Sequence, residues 1–187
     1  SAPPPSTPSP VPAATSSVAT TPQLSSGLRV CRVGLGMTRS EVESLLGPPD
    51  FVGSVPGKGD QQMTYVEYGN KVGTWNGRPT IVYSPENTVH SVIGNSLELE
   101  GRVACQLGQP YSQVKSSLPK WAYTDEVLTK DHYRTSISSE NQVAYLTFDQ
   151  QRLSRIVLVP SSESPETTIP NDNKLKAPSD GWRWRCQ

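Results

Sequence analysis

Long apolar runs, net charge and histidine are what this chain lacks, and each absence narrows what it can do. No stretch approaches the roughly 20 apolar residues that a membrane-crossing helix needs, so none is expected. Seventeen acidic and 17 basic side chains cancel, which removes the whole-molecule attraction that draws proteins to nucleic acid or anionic membranes. There are two histidines, His90 and His132, and three cysteines, Cys31, Cys105 and Cys186, without CxxC spacing. Metal ligation is therefore not expected, and no cofactor motif stands out. No G-x-S-x-G string frames a nucleophile, and the glycines from Gly53 to Gly59 lack the Gly-Lys-Ser/Thr of a phosphate loop. Asp125 and Glu126 are neighbouring carboxylates, but adjacent side chains on a helix do not face one another. Both histidines fall on expected strands and read as solvent-facing. The chain is expected not to be an enzyme.

What is abundant lies at the two ends. Residues 1–28 carry no charge and are rich in Pro, Ser, Thr and Ala, so burial there cannot offset the entropy of ordering. They read as a disordered leader. Residues 161–187 are again polar, punctuated by Pro165, Pro170 and Pro178, and read as an extended tail. About 130 residues remain between them, enough for one ordinary domain or two small ones. A Pro/Ser/Thr spacer behind Ser1 fits an exported protein, periplasmic, outer-membrane-associated or secreted, whose signal peptide was removed; a lipid anchor would precede Ser1. Export would permit one disulfide bond and leave one thiol over. A bridge from Cys186 to Cys105 or Cys31 would fold the tail back onto the body; three unpaired thiols are the alternative.

The middle of the chain repeats itself. Residues 35–46 and 107–118 share six of 12 positions at an offset of 72: Leu35, Gly36, Ser40, Val42, Ser44 and Leu46 recur as Leu107, Gly108, Ser112, Val114, Ser116 and Leu118. Both segments read as short helices. The first has a T-x-x-E capping box at Thr38 and Glu41 and stops at Gly47-Pro48-Pro49; the second starts at Pro110 and stops at Pro119. Residues 80–93 and 144–157 each read as two strands around a polar turn, now at an offset of 64. A third strand is expected before each hairpin, at Met63–Tyr68 and His132–Ile137. The shrinking offset places extra loop in the first half, at 52–62 or around Trp75 between Gly73 and Gly77.

The string Gly-Leu-Gly-Met-Thr-Arg-Ser-Glu-Val-Glu-Ser-Leu-Leu-Gly-Pro-Pro-Asp, residues 34–50, resembles the opening motif of SmpA/OmlA (BamE-like) lipoproteins. The doubled arrangement is similar to β-lactamase inhibitory protein-like proteins. The resemblance covers most of residues 30–95 in pattern, with only its opening specific, and the second half departs from it at Pro110 and Tyr111 and lacks a Gly-x-Pro stop. It implies an α+β fold: two tandem modules, 29–100 and 101–160, each a helix plus a three-stranded antiparallel sheet, forming one curved sheet with helices on one face. It also implies export and binding without chemistry.

The aromatic residues carry the remaining signal. Strand alternation divides them between two faces, and exposed Tyr and Trp supply much of the energy of protein interfaces. Tyr68 and Phe148 are expected in the core. Tyr65, Trp75, Tyr83 and Tyr145 are candidate partner-binding residues, and so are Trp182 and Trp184 in the tail, although packing of the tail on its own protein is the first expectation. The expected function is an exported protein-binding module, an accessory subunit or lipoprotein of an envelope complex. A secreted enzyme inhibitor, using 52–62 and Trp75 as an inserting loop, is one alternative. A small cell-wall hydrolase or sugar-binding protein with a polar pocket is the other.

Overall fold

The computed structural model describes residues 2–3, 27–68 and 79–164. Two short helices and 11 strands follow one another: β1 (Arg29–Val30), α1 (Arg39–Leu46), β2 (Phe51–Pro56), β3 (Gln62–Glu67), β4 (Thr80–Tyr83), β5 (Val89–Gly94), β6 (Ser96–Leu99), β7 (Arg102–Gln106), α2 (Tyr111–Ser117), β8 (Tyr123–Thr129), β9 (His132–Ser139), β10 (Gln142–Asp149) and β11 (Arg152–Pro160). Eight strands form one antiparallel sheet in the order β2-β3-β4-β5-β11-β10-β9-β8, and β1-β6-β7 form a second.

The expected α+β architecture of helix-plus-three-strand modules is overturned: the protein is mostly β. Three features produce the difference. Phe51–Pro56 and Tyr123–Thr129 are strands, so each half contributes four strands to the large sheet and not three. Glycine and proline in the first segment, and charges in the second, hid the strand pattern, but both are outer strands where such residues are tolerated. The chain between the halves folds into its own sheet with β1. The helices span only eight and seven residues.

The repeat has a backbone counterpart in two sets of equivalent hydrogen bonds. Gly36 donates its N–H to the Val89 carbonyl at 2.9 Å, and Gly108 donates to Leu153 at 2.7 Å. Val89 in turn donates to Met37 at 2.8 Å, and Leu153 to Gln109 at 2.9 Å. Arg39 donates to Asn87, and Tyr111 to Gln151. The offsets are 72 on the helix side and 64 on the hairpin side, those of the sequence. Both glycines sit at φ +82, a left-handed conformation that glycine adopts without steric cost, which is why Leu-Gly recurs. A β-bulge follows at matching places, between Val82 and Tyr83 and between Thr147 and Phe148.

The extra residues of the first half also find their place. The segment 52–62 is no free loop, because β2 pairs with β3 from Phe51↔Glu67 to Pro56↔Gln62. The β3–β4 connection runs from 68 to 79, whereas β9 and β10 are joined by residues 140–141 alone. Trp75 belongs to that longer connection and lies outside the described residues.

One face of the large sheet carries the main core. Val42 and Leu46 of α1, Val114 and Leu118 of α2, and Leu28, Val30, Leu97 and Cys105 of the smaller sheet region pack with Val66, Ile81, Tyr83, Val92, Leu146, Phe148, Ile156 and Leu158. Residues of both halves share this cluster. The halves meet where β5 pairs with β11 through Val92↔Leu158, Ile93↔Val157 and Gly94↔Ile156.

Candidate functional site

The opposite face of the large sheet is also apolar. Val55, Val82, Ile93, Val143, Val157 and Val159 form a second cluster, with Met63, Tyr65 and Tyr145 packed against it. Every member is a side chain of the large sheet; neither helix nor the three-stranded sheet contributes. Alternation places them there. Residues directly opposite across a ladder share a face, and one row can be followed across all eight strands: Phe51, Glu67, Thr80, Ile93, Val157, Tyr145, Ser136 and Thr124.

That face has a fully buried middle and a half-buried rim. Val82, Ile93, Val157 and Val159 are at most 1% exposed. On the β2–β3 side, Tyr65 meets Phe51 edge to face at 6.0 Å between ring centres, and its hydroxyl bonds to Glu67. On the β9–β10 side the Arg134 guanidinium stands 5.5 Å from the centre of the Tyr145 ring. Arg134 also holds Glu126, Nη2 to Oε2 at 2.7 Å. Each rim thus combines an aromatic ring with a charged group, a combination that protein interfaces favour.

The sequence-predicted site residues scatter. Tyr65 and Tyr145 occupy the same face from opposite halves. Tyr83 does not: it is fully buried in the main core on the helix side, where burial pushes its phenol pKa upward. Parity is the reason, since Val82 and Tyr83 point to opposite faces and the valine took the outer one. Its equivalent in the second half, Phe148, is buried likewise. Trp75, Trp182, Trp184 and Cys186 lie outside the described residues. Cys105 is a free, buried thiol, which removes the Cys105–Cys186 pairing; burial raises its pKa to about 12, leaving it unreactive at neutral pH.

Two further arrangements were not legible in the sequence. At the hairpin end of the apolar face lies a groove of about 930 Å³, lined by Val55, Lys58, Met63, Pro85, His90 and Glu163 among others. His90, expected to face solvent, is largely covered, with Nε2 2.9 Å from Glu163 Oε1; His132 is half exposed, 3.4 Å from Asp149. The second arrangement joins α2 to β8. Lys115 Nζ lies 2.5 Å from Asp125 Oδ2 and 3.2 Å from the centre of the Tyr123 ring, while Tyr111 and Thr135 donate to Asp125 at 3.2 Å and 2.6 Å. Burial works to raise the Asp125 pKa, but the hydrogen bonds from Lys115 and Thr135 and the ammonium charge outweigh it, and the net shift is downward. Asp125 and Glu126 lie on a strand, not a helix, so they face opposite sides of the sheet. Among the described residues no group of three or more His, Cys, Asp or Glu is placed to hold a metal, and no helix is long and apolar enough to cross a membrane.

No family model, curated protein or solved structure matches this chain, so the likeness to BamE-like proteins stands on the residues of the 34–50 string alone.

Proposed function

We propose that this chain is an exported protein-binding module that meets its partner with the sheet face turned away from the helices. One observation carries the reading. The outer face presents two half-buried aromatic rims, Tyr65 with Phe51 and Glu67, and Tyr145 with Arg134 and Glu126, on either side of a buried apolar strip. A ring already packed on one side loses little conformational freedom on binding, and the adjoining charges set orientation and partner choice. A partner spanning both rims would bridge the two halves of the sheet, and an envelope assembly is the setting that an exported chain of this kind fits.

The test is affinity capture from native envelope extract with the full chain and with a Tyr65→Ala/Tyr145→Ala variant, circular dichroism showing that the variant folds. The expected outcome is a specific partner retained by the full chain and weakened at least about tenfold by the double substitution, the loss typical of two interface anchors. Undiminished capture by the folded variant would remove this face from the binding surface.

A further inference from the structure

The edge of a sheet offers a row of unpaired backbone donors and acceptors, and proteins blunt such edges with short strands, proline, bends or an overlying element. Three of the four edges here are blunted in these ways. β1 is two residues long. β2 carries Gly53 and ends at Pro56. β7 has α2 beside it, with the Ser117 hydroxyl donating to the Ala104 carbonyl at 2.6 Å. The fourth edge, β8, contains no proline, glycine or lysine, and six of its seven residues are exposed. Among the described residues no strand lies beyond it.

We infer that β8 is the edge through which two copies of this chain associate, antiparallel and across a twofold axis near the middle of the strand. Two observations select a second copy as the occupant. The first is charge. β8 carries two carboxylates, which would repel their own copies, but each is already matched within its chain: Asp125 by Lys115 at 2.5 Å and Glu126 by Arg134 at 2.7 Å. The strand with its ion-pair partners is therefore neutral, and a second copy meets no bare like charge. The second observation is where the apolar side chains lie. Trp121 is 51% exposed, Val127 69% and Leu128 41%, so three of the six large apolar side chains exposed among the described residues fall in one short stretch. Antiparallel self-pairing brings the Trp121–Tyr123 end of each copy beside the Val127–Leu128 end of the other, and aromatic rings beside β-branched side chains are favourable cross-strand neighbours. The edge complements itself because its two ends differ.

β8 pairs regularly with β9 from Tyr123 to Val127 and bulges before Thr129, so the regular part of the edge is short. The stretch 121–128 is well below the roughly 20–30 residues a side of a standard interface, and a dimer exchanging with monomer at tens to hundreds of micromolar is expected. A twofold axis perpendicular to the sheet keeps both outer faces on the same side, so the Tyr145–Arg134 rims of the two copies flank the join. The pairing itself does not rest on what those rims bind.

Sedimentation equilibrium of the full chain, from low to several hundred micromolar, is expected to show a reversible monomer–dimer equilibrium. Val127→Lys sets a charge at the join and should weaken dimerisation at least about tenfold, the loss of an interface anchor. Val52→Lys, on the far edge β2 and 49% exposed, should leave it unchanged, with circular dichroism showing that both variants fold. Hydrogen exchange on the unsubstituted chain at the two ends of the concentration range should slow at the Tyr123–Val127 amides and not in β2, a readout that holds even if a variant fails to fold. A chain monomeric throughout would overturn the inference and leave the β8 edge to a strand of another protein. Dimerisation undiminished by the folded Val127→Lys variant, or concentration-dependent protection confined to other strands, would overturn it as well. No partner protein enters these measurements, so failed capture by the outer face would leave the pairing standing, and a monomeric chain would leave that face to be judged by capture.

Discussion

At the scale of single residues, what matters is which way a side chain points. Tyr83 and Tyr65 are both strand tyrosines in aromatic, β-branched surroundings, and their sequence contexts do not separate a buried ring from a rim ring. The ladder does: Tyr65 pairs with Val82, one residue before Tyr83, so the two phenols are on opposite faces. Asp125 is the residue whose environment has the clearest consequence. Its pKa is held below the ordinary carboxylate value, so its stabilising contribution is present above that value and is lost as pH falls through the folded one. The carboxylate is 40% exposed, and solvent screening keeps the contribution to about 1 kcal/mol. Asp125→Asn should therefore lower the urea midpoint at pH 7, and by a shrinking amount as pH falls below the ordinary carboxylate value, which equilibrium unfolding at a series of acid pH values would check.

At the scale of elements, the two helices show how one motif is held in two ways. In α1 the Thr38 hydroxyl accepts the Glu41 N–H at 3.3 Å, and the Glu41 carboxylate accepts the Thr38 N–H at 2.7 Å, the capping box read from T-x-x-E. This same hydrogen bonding lowers the Glu41 pKa. In α2, Pro110 stands at the N-cap and makes no side-chain bond; Tyr111 instead packs its ring on Phe148, 5.0 Å between centres. Thr38→Ala should cost about 1 kcal/mol and lower the thermal midpoint by a few degrees, while Pro110→Ala should not show a cap loss; scanning calorimetry of the two variants would separate them. The helices, their caps and the central hairpins were legible because each rests on local chemistry. The outer strands β2 and β8 were not, because what makes Gly53 or Glu126 a strand residue is the neighbouring strand, and pairing is non-local.

At the scale of the whole molecule, the halves are related in sequence but do not stand apart in space. The main core mixes α1 and β4 with α2 and β10 in one cluster, and the β5–β11 ladder continues the sheet across the join. Cutting there would expose a long edge and half of a core. Residues 27–100 and 101–164 expressed separately are therefore expected to give no cooperative unfolding transition, whereas the full chain should unfold in one; urea titration followed by circular dichroism decides this, and two independent transitions in the full chain would contradict it.

Local sequence was enough for the leader's composition, the Leu-Gly repeat with its two offsets, the capping box and the strands around each turn, since composition, backbone conformation and short-range hydrogen bonds are encoded within a few residues. Tertiary pairing alone decided that the protein is mostly β and that Tyr83 is core while Tyr65 and Tyr145 are rim. It also decided that Asp125 meets Lys115 and that a second apolar face exists. Each of these depends on strand register, and a shift of one residue in register sends every side chain of a strand to the other face.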